Sequence, residues 1–327
     1  MTKHPKNKFV KDIKSGENVK DIFVVAEKEP LKDYLNGQKW MFSLLLKDKT
    51  GTIKLKFFGS NDKSSVEKTH SSLSEGGVVL VDATAKEYNG SVEFTVNPPQ
   101  QTIQVLKAEE YDREHFIQRT KKDMKKLQTR LKELIDMITD TDIKKLMTHI
   151  FSEEMSKKFS ESSAAVKRHH AFVGGLLEHS ISLAEILLIL KQTHPELNQD
   201  YLICGALLQD IGKTAEITGD IAFDFTTEGS LVGHIVLGAQ IVGKAAEEIG
   251  TPKEKTLKLV HLVLSHHNEL EYGSPVTPKF PEAAAVAYAD MLDAKTQEFI
   301  DAYENAKNAS DNETEWDKNL KRFIFLK

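Results

Sequence analysis

The residues best equipped for chemistry in this chain are histidines and aspartates gathered in its second half. Of 12 histidines, eight lie between residues 169 and 267: His169, His170, His179, His194, His234, His261, His266 and His267. Several occupy positions that a helix should keep apolar. His179 shares a helical face with Leu176, Leu183 and Ile186, and His266 shares one with Leu259, Leu262 and Val263. Taken singly, such a histidine is more often a hydrogen-bonded core residue than a ligand. The carboxylates change that balance. Asp210 has Leu207, Ala206 and Ile203 as its helical neighbours, and Asp290 has Ala283, Val286 and Ala287. A carboxylate on such a face is buried, and a buried unpaired charge is very costly. Each needs a cation or an ion-pair partner, and Lys213 is the main candidate for a purely structural pair. Two inward acids and several inward histidines on separate helices are the ingredients of a metal site in a helical bundle.

The elements that must position these residues follow from the pattern. From Phe9 to about Leu106 the period is that of strands. Trp40–Leu46 is an apolar run, Lys47–Gly51 a turn, and Thr52–Phe57 alternates apolar with polar residues. Val78–Thr84, the turn Tyr88-Asn89-Gly90 and Ser91–Val96 repeat the scheme, with Asn89-Gly90 a strong hairpin signal. Asn97-Pro98-Pro99 closes the unit. About five strands suggest a small OB-like barrel. Beyond Lys107 the period becomes helical, with helices predicted over 175–192, 200–211, 231–250, 253–267 and 281–308. The expected fold is multidomain α+β, an N-terminal OB-like β-barrel followed by an all-α helical bundle. The expected boundaries are a nucleic-acid-binding barrel over 1–106, a basic helical connector over 107–163 and a metal-dependent domain over 164–327. In the connector, residues 119–132 hold Arg119, Lys121, Lys122, Lys125, Lys126, Arg130 and Lys132 against Asp123 alone. That stripe reads either as a solvated helix face or as a track for phosphates. Asp311–Glu315 reads as a polar turn before the apolar tail Phe323–Leu326.

Composition sets limits. The chain has 327 residues, 28% of them charged, and a formal net charge of -5, so any polyanion-binding surface must be local. The one cysteine, Cys204, sits in an apolar run, which excludes an internal disulfide and fits a reducing compartment. The basic N-terminal stretch lacks an apolar core, so no secretory signal is expected. The longest apolar stretches, such as Leu183–Leu190, are too short to span a bilayer. The expectation is a cytoplasmic protein with no membrane partner.

The ordered series His179, Leu207-Leu208-Gln209-Asp210-Ile211-Gly212-Lys213, Gly233-His234, Ser265-His266-His267 and Asp290 resembles the HD phosphohydrolase superfamily. Three longer stretches go further. They are His169-His170-Ala171-Phe172-Val173-Gly174-Gly175-Leu176-Leu177-Glu178-His179, Thr227-Glu228-Gly229-Ser230-Leu231-Val232-Gly233-His234, and residues 265–275 from Ser265 to Pro275. They resemble the YhaM-type 3′–5′ exoribonucleases, which also carry an OB domain in front. The resemblance implies that His179, Asp210 and Asp290 hold one metal, and that Asp210 bridges to a second held by His234 and His266. It further implies that His267 ligates or supports, that Lys213 faces the scissile phosphate, and that His170 lines the site. It implies RNA as substrate, exonucleolytic cleavage and 3′-to-5′ direction.

One position departs from that pattern. The residue before Asp210 should be histidine and is Gln209. A glutamine amide oxygen binds a hard cation weakly and cannot replace imidazole for a transition metal. Three readings compete: an enzyme working with an altered first metal, a substituted and impaired version of an active enzyme, and a degenerate site in a binding module. The expected cofactor is a divalent cation, Mn²⁺ ahead of Mg²⁺ because of the histidines. The expected partner is single-stranded RNA or DNA, with a homo-oligomer compatible with the sequence. Phe58 and Tyr88 are the expected stacking platforms, while Lys54, Lys56, Lys86 and Arg168 are the expected phosphate contacts. Trp40, Phe42, Phe57 and Phe94 are aromatic candidates for which core packing competes, and alternation places Phe57 in the core. The rival functions are an HD nucleotidase or cyclic-nucleotide phosphodiesterase, and a non-catalytic single-strand-binding protein.

Overall fold

Alternating strands at the N-terminus bury their apolar faces by closing on themselves. The computed structural model describes residues 3–34, 39–88, 90–166, 171–219, 221–309, 312–317 and 320–326. Its first unit contains β1 (Asn18–Lys28), β2 (Lys32–Tyr34), β3 (Lys39–Asp48), β4 (Gly51–Phe58), α1 (Lys63–Ser72), β5 (Val78–Tyr88), β6 (Ser91–Val96) and β7 (Ile103–Val105). Strand β1 pairs with β3, β3 with β4, β4 with β6, β6 with β5, and β5 returns to β1. Five strands therefore close an OB-like barrel, with β2 added to β3 and β7 to β5. The β4–β6 pairing is parallel, and the crossover between β4 and β5 carries α1. The two expected turns set the register: Asp48 faces Gly51 across Lys49-Thr50, and Tyr88 faces Ser91.

Alternation on β4 sends Ile53, Leu55 and Phe57 into the barrel and leaves Lys54, Lys56 and Phe58 half-buried on its outer face. Phe42 and Phe94 are core residues and not stacking platforms. Both have no exposed surface, and Phe42 stacks on Phe57 with ring centroids 4.6 Å apart. They point inward because a barrel this small is filled by its own side chains.

The second unit begins at Arg119. It contains α2 (Met124–Asp136), α3 (Thr141–Ile150), α4 (Glu153–Glu161), α5 (Gly175–Thr193), α6 (Gln199–Leu208), α7 (Lys213–Glu216), β8 (Ile217–Thr218), β9 (Asp224–Phe225), α8 (Thr227–Val232), α9 (His234–Ile249), α10 (Lys253–Ser265), α11 (Pro281–Ala309), β10 (Thr314–Asp317) and β11 (Arg322–Phe325). Leu131, Leu134, Ile143, Leu146 and Phe159 from α2–α4 join one core with Leu176, Leu183, Leu207 and Leu262. So part of segment 107–163 contributes to the same core as the helices that follow. Of its basic stripe, Arg130 is paired with Glu185 at 2.6 Å and Glu133 at 3.0 Å, and Lys122 with Glu178 at 3.2 Å. Lys121, Lys125, Lys126 and Lys132 face solvent.

Three expectations about this unit need correction. The helix predicted over 231–250 is two helices, because Gly233 adopts φ +78° and ends α8 before α9 starts at His234. The apolar tail is strand β11, paired with β10 from the segment read as a turn. With the β8–β9 ribbon, this makes the bundle predominantly helical and not all-α. Cys204 is buried in the core as expected. Among the described residues, no helix is long and apolar enough to cross a membrane.

One close approach fixes the two halves of the histidine–aspartate series against each other. A Cβ at Gly212 would overlap the His234 carbonyl oxygen and lie 2.6 Å from the Gly238 nitrogen, so α9 packs directly on the backbone that follows Asp210. Gly212→Ala is therefore expected to destabilise the unit by about 1–3 kcal/mol through overpacking. That corresponds to a melting midpoint lowered by roughly 2–12 °C. Gly243, also on α9, has nothing within 4 Å of its ideal Cβ and serves as the control. Gly243→Ala should hold or raise the midpoint, because alanine is the better helix former. Circular dichroism melts of both variants check the pair, and equal midpoints would sink the argument.

Candidate metal centre

The ends of helices gather the chemistry. Gln209 and Asp210 follow the last residue of α6, a helix started by the Asn198 side chain accepting from the Asp200 and Tyr201 amides. His234 opens α9, and His266 closes α10. His179 comes from within α5 and Asp290 from within α11. Gln209, Asp210, His179 and His266 are all buried. The C-terminal ends of α6 and α10 carry partial negative charge, which favours a cation beside them.

Three histidines are aimed in the same way. His266 Nδ1 lies 2.7 Å from the Val263 carbonyl oxygen, and His267 Nδ1 lies 2.9 Å from that of Tyr272. His234 Nδ1 lies 3.1 Å from Glu216 Oε1, which also accepts from the His234 amide at 2.9 Å. Carbonyl and carboxylate oxygens can only accept, so each Nδ1 must carry the proton. In the neutral ring each Nε2 then carries the lone pair, the form a metal requires. His234, His266 and His267 each offer one ligand atom, and these lie within 4.8 Å of one another. Burial and the neighbouring His266 push the His267 imidazole down to about 4, so it is neutral at physiological pH.

Asp210 stands against this group. His234 Nε2 and His266 Nε2 each lie 3.6 Å from Asp210 Oδ1, too far for hydrogen bonds. Asp210 Oδ1, His234 Nε2, His266 Nε2 and Gln209 Oε1 are buried and find no hydrogen-bond partner among the described residues. Orphaned buried polar atoms are rare and costly. Two atoms that ligate one ion, each about 2.1 Å from it, can be at most about 4.2 Å apart. The 3.6 Å separations of Asp210 from His234 and His266 meet that limit, and a carboxylate with imidazoles is a donor set that fits a first-row divalent cation. Burial would raise the Asp210 carboxyl, but Lys213, His266 and His234 outweigh it and hold the group well below its ordinary range.

The other end of the site differs. His179 Nε2 lies 3.0 Å from Asp290 Oδ1 and 3.0 Å from Gln209 Nε2, while its Nδ1 is 2.8 Å from Asp293 Oδ2. Asp210 Oδ2 is 3.6 Å from His179 Nε2 and 2.8 Å from Lys213 Nζ. Burial acts to lower His179, but its hydrogen bonds to Asp290 and Asp293 prevail and push it up to about 10. Asp290 shifts down, burial opposing and the His179 contact winning.

The structure thus brings together His179, Gln209, Asp210, Lys213, His234, His266, His267 and Asp290. His170 and Arg168 lie outside the described residues. His194 and His261 are used elsewhere: His194 pairs with Glu196 at 3.5 Å, and His261 Nε2 accepts from the Lys279 amide at 3.0 Å. On the barrel, Lys56 pairs with Glu93 at 2.6 Å and sits 3.9 Å from the Tyr88 ring centroid. Lys54 lies 3.8 Å from Glu29, and Phe58 packs edge-on against Tyr34 at 5.7 Å. Lys86 and Tyr88 are exposed.

Two acids escaped the reading of the sequence. Glu216 orients His234, and Asp293 orients His179 while also accepting from Ser182 Oγ at 2.6 Å. Asp293 follows Asp290 by three residues on one helix, so its shared face was a usable signal. Glu216 ends the four-residue helix α7, too short to present a readable face.

Comparison with known families finds an HD domain at residues 176–295. That span contains all eight of the residues brought together above. HD domains are typically metal-dependent phosphohydrolases, and the donor set described here has the composition such a centre needs.

Removing the partner of a ligating histidine typically weakens metal affinity about 10–100-fold. Glu216→Ala is expected to weaken Mn²⁺ binding by that factor in calorimetric titration, and Glu216→Gln by less, because the amide oxygen can still accept. Unchanged affinity in Glu216→Ala would show that His234 needs no such support. A second expectation concerns the metal-free protein. His179, raised to about 10, should keep protons on both ring nitrogens from pH 6 to 8. In EDTA, its NMR ring signal should hold the imidazolium position across that interval. A midpoint near the ordinary 6.5 would contradict this.

Proposed function

We propose that this chain is a metal-dependent phosphodiesterase that trims single-stranded nucleic acid, RNA foremost, from the 3′ end. The observation that carries the reading is the convergence of Asp210 Oδ1, His234 Nε2 and His266 Nε2, three buried atoms without hydrogen-bond partners among the described residues. A divalent cation held there by Asp210, His234 and His266 would supply a water of lowered pKa and a counter-charge for the nonbridging phosphate oxygens. The residues of the chain supply the rest. Glu216 and the Val263 and Tyr272 carbonyls hold the three imidazoles in their lone-pair-forward tautomers. Lys213 holds a positive charge beside Asp210, where a phosphate oxygen can share it as charge builds. No side chain need act as a nucleophile, and Cys204 is sealed in the core.

The barrel supports a polymeric substrate. Single strands bind where aromatic rings alternate with basic groups. Lys54, Lys56 and Phe58 share the outer face of β4, and Tyr88 and Lys86 stand on the exposed end of β5. The Lys56–Glu93 pair partly neutralises that surface, which favours stacking over charge as the source of affinity. The 3′-to-5′ direction and the preference for RNA rest on the resemblance of residues 169–179, 227–234 and 265–275 to the YhaM-type exoribonucleases.

The test uses a 5′-labelled single-stranded RNA of about 20 nucleotides, within the span of one to several OB sites. The expected result is a Mn²⁺-dependent ladder shortening from the 3′ end, abolished in Asp210→Ala. Tyr88→Ala together with Phe58→Ala should raise KM several-fold while leaving kcat nearly unchanged. Hydrolysis of mononucleotides or cyclic nucleotides without strand shortening would replace this reading with a nucleotidase. Metal-independent, salt-sensitive strand binding with no cleavage would replace it with a binding module.

A further inference from the structure

We infer that this chain holds a single tightly bound divalent cation, at Asp210, His234, His266 and His267, and that Gln209 and Lys213 close the place of a second. The inference rests on the metal-dependent reading above and specifies how many ions that centre takes.

The two ends of the cluster differ in where their protons lie. At the three-histidine end, every ring has its Nδ1 proton committed to an oxygen. The Nε2 atoms of His234 and His266 and the Oδ1 of Asp210 are left with lone pairs and no proton to share among the described residues. At the His179 end the situation is reversed. His179 Nε2 lies 3.0 Å from Asp290 Oδ1 and 3.0 Å from Gln209 Nε2. Nε2 therefore either carries its own proton and donates to Asp290, with no lone pair left, or its lone pair accepts from the Gln209 amide. Gln209 Nε2 is also 3.4 Å from Asp290 Oδ1, so the amide fits between acid and imidazole.

The bridging carboxylate is divided in the same way. Asp210 Oδ1 faces the two histidines, whereas Oδ2 is engaged by the Lys213 ammonium at 2.8 Å. A second cation beside Oδ2 would have to displace that ammonium and turn aside a fully buried amide. Its return would be one imidazole, two carboxylate oxygens and at best one neutral amide oxygen. That is a hard, weakly selective set beside the nitrogen-rich set at the other end. Residue 209 is thus the one position at which the cluster has traded a metal ligand for a hydrogen-bonding wedge. Lys213 supplies the charge compensation that a second ion would otherwise provide.

The test counts ions. The full chain is stripped with EDTA, reloaded with Mn²⁺, passed through a desalting column and analysed for manganese per chain by mass spectrometry. The expected count is one in the parent, none in His266→Ala, one in His179→Ala and two in Gln209→His. The electron paramagnetic resonance signal of Gln209→His should lose intensity per ion as two Mn²⁺ couple. If Gln209→His does not fold, the His179→Ala and His266→Ala pair still decides, because the inference requires them to differ. Two ions per chain in the parent would overturn the inference and leave the metal-dependent phosphodiesterase reading standing. No retained ion in the parent would overturn both.

Discussion

A buried carboxylate with one oxygen left unmatched is the constraint on which this structure turns. Asp210 is almost fully enclosed, and its two oxygens meet different surroundings. One has an ammonium at hydrogen-bond distance, while the other, among the described residues, faces imidazole nitrogens whose Nδ1 protons point away. Leaving that second oxygen unmatched would cost several kcal/mol. Much of the helical unit serves to set up this mismatch. Gly212 lets α9 approach closely, Gly233 breaks the chain so that His234 opens a helix, and α10 ends at His266.

The barrel of the same chain shows what a purely structural answer looks like. Asp48 is equally buried, and its Oδ2 accepts from the Val10 amide at 2.8 Å and lies 3.3 Å from Lys6 Nζ. Its Oδ1 accepts from the Thr50 amide and hydroxyl at 2.8 and 2.6 Å. Both oxygens are matched within the chain, and the Lys6 ammonium is itself tied to the Ile22 carbonyl at 2.7 Å. At Asp48, a charge buried for structure, each oxygen has two partners. Asp210 departs from that pattern at one oxygen, and its neighbours His234 and His266 depart with it. The contrast separates a ligand-binding role from an ion-pair role using one chain as its own reference.

Much of this was legible in the residues. The change from a period of two to a helical period announced a barrel followed by a helical region. The apolar neighbours of His179, Asp210 and His266 gave away their burial, whereas Asp290, read the same way, is half-buried. The turns at Lys49-Thr50 and at Gly90 fixed two hairpin registers. What could not be read depended on contacts distant in sequence. The parallel β4–β6 pairing is invisible to alternation, since either neighbour would bury the same face. The apolar residues Leu231 and Val232 suggested a helix running through Gly233, whose positive φ is a tertiary outcome. Glu216 carried no periodic signal because its helix is one turn long. The inward aromatics Phe42 and Phe94 could not be told from outward ones until the barrel closed.

The two ends of the metal centre differ most in preorganisation. Around His234, His266 and His267 the orienting oxygens are two backbone carbonyls and one buried carboxylate, the last also accepting from the His234 amide. These imidazoles point their lone pairs at a common volume before any ion arrives, so little reorganisation is charged against binding. Around His179 the orienting groups are themselves acids, Asp290 and Asp293, and the ring serves them as a hydrogen-bond donor. An ion entering there must first break the contact that makes His179 stable in its place. Gln209 adds an amide to that contact and cannot offer an imidazole in return. The asymmetry therefore does not depend on residue 209 alone. Aspartates on one side and carbonyls on the other already incline the cluster toward one strong site, and the glutamine completes the division.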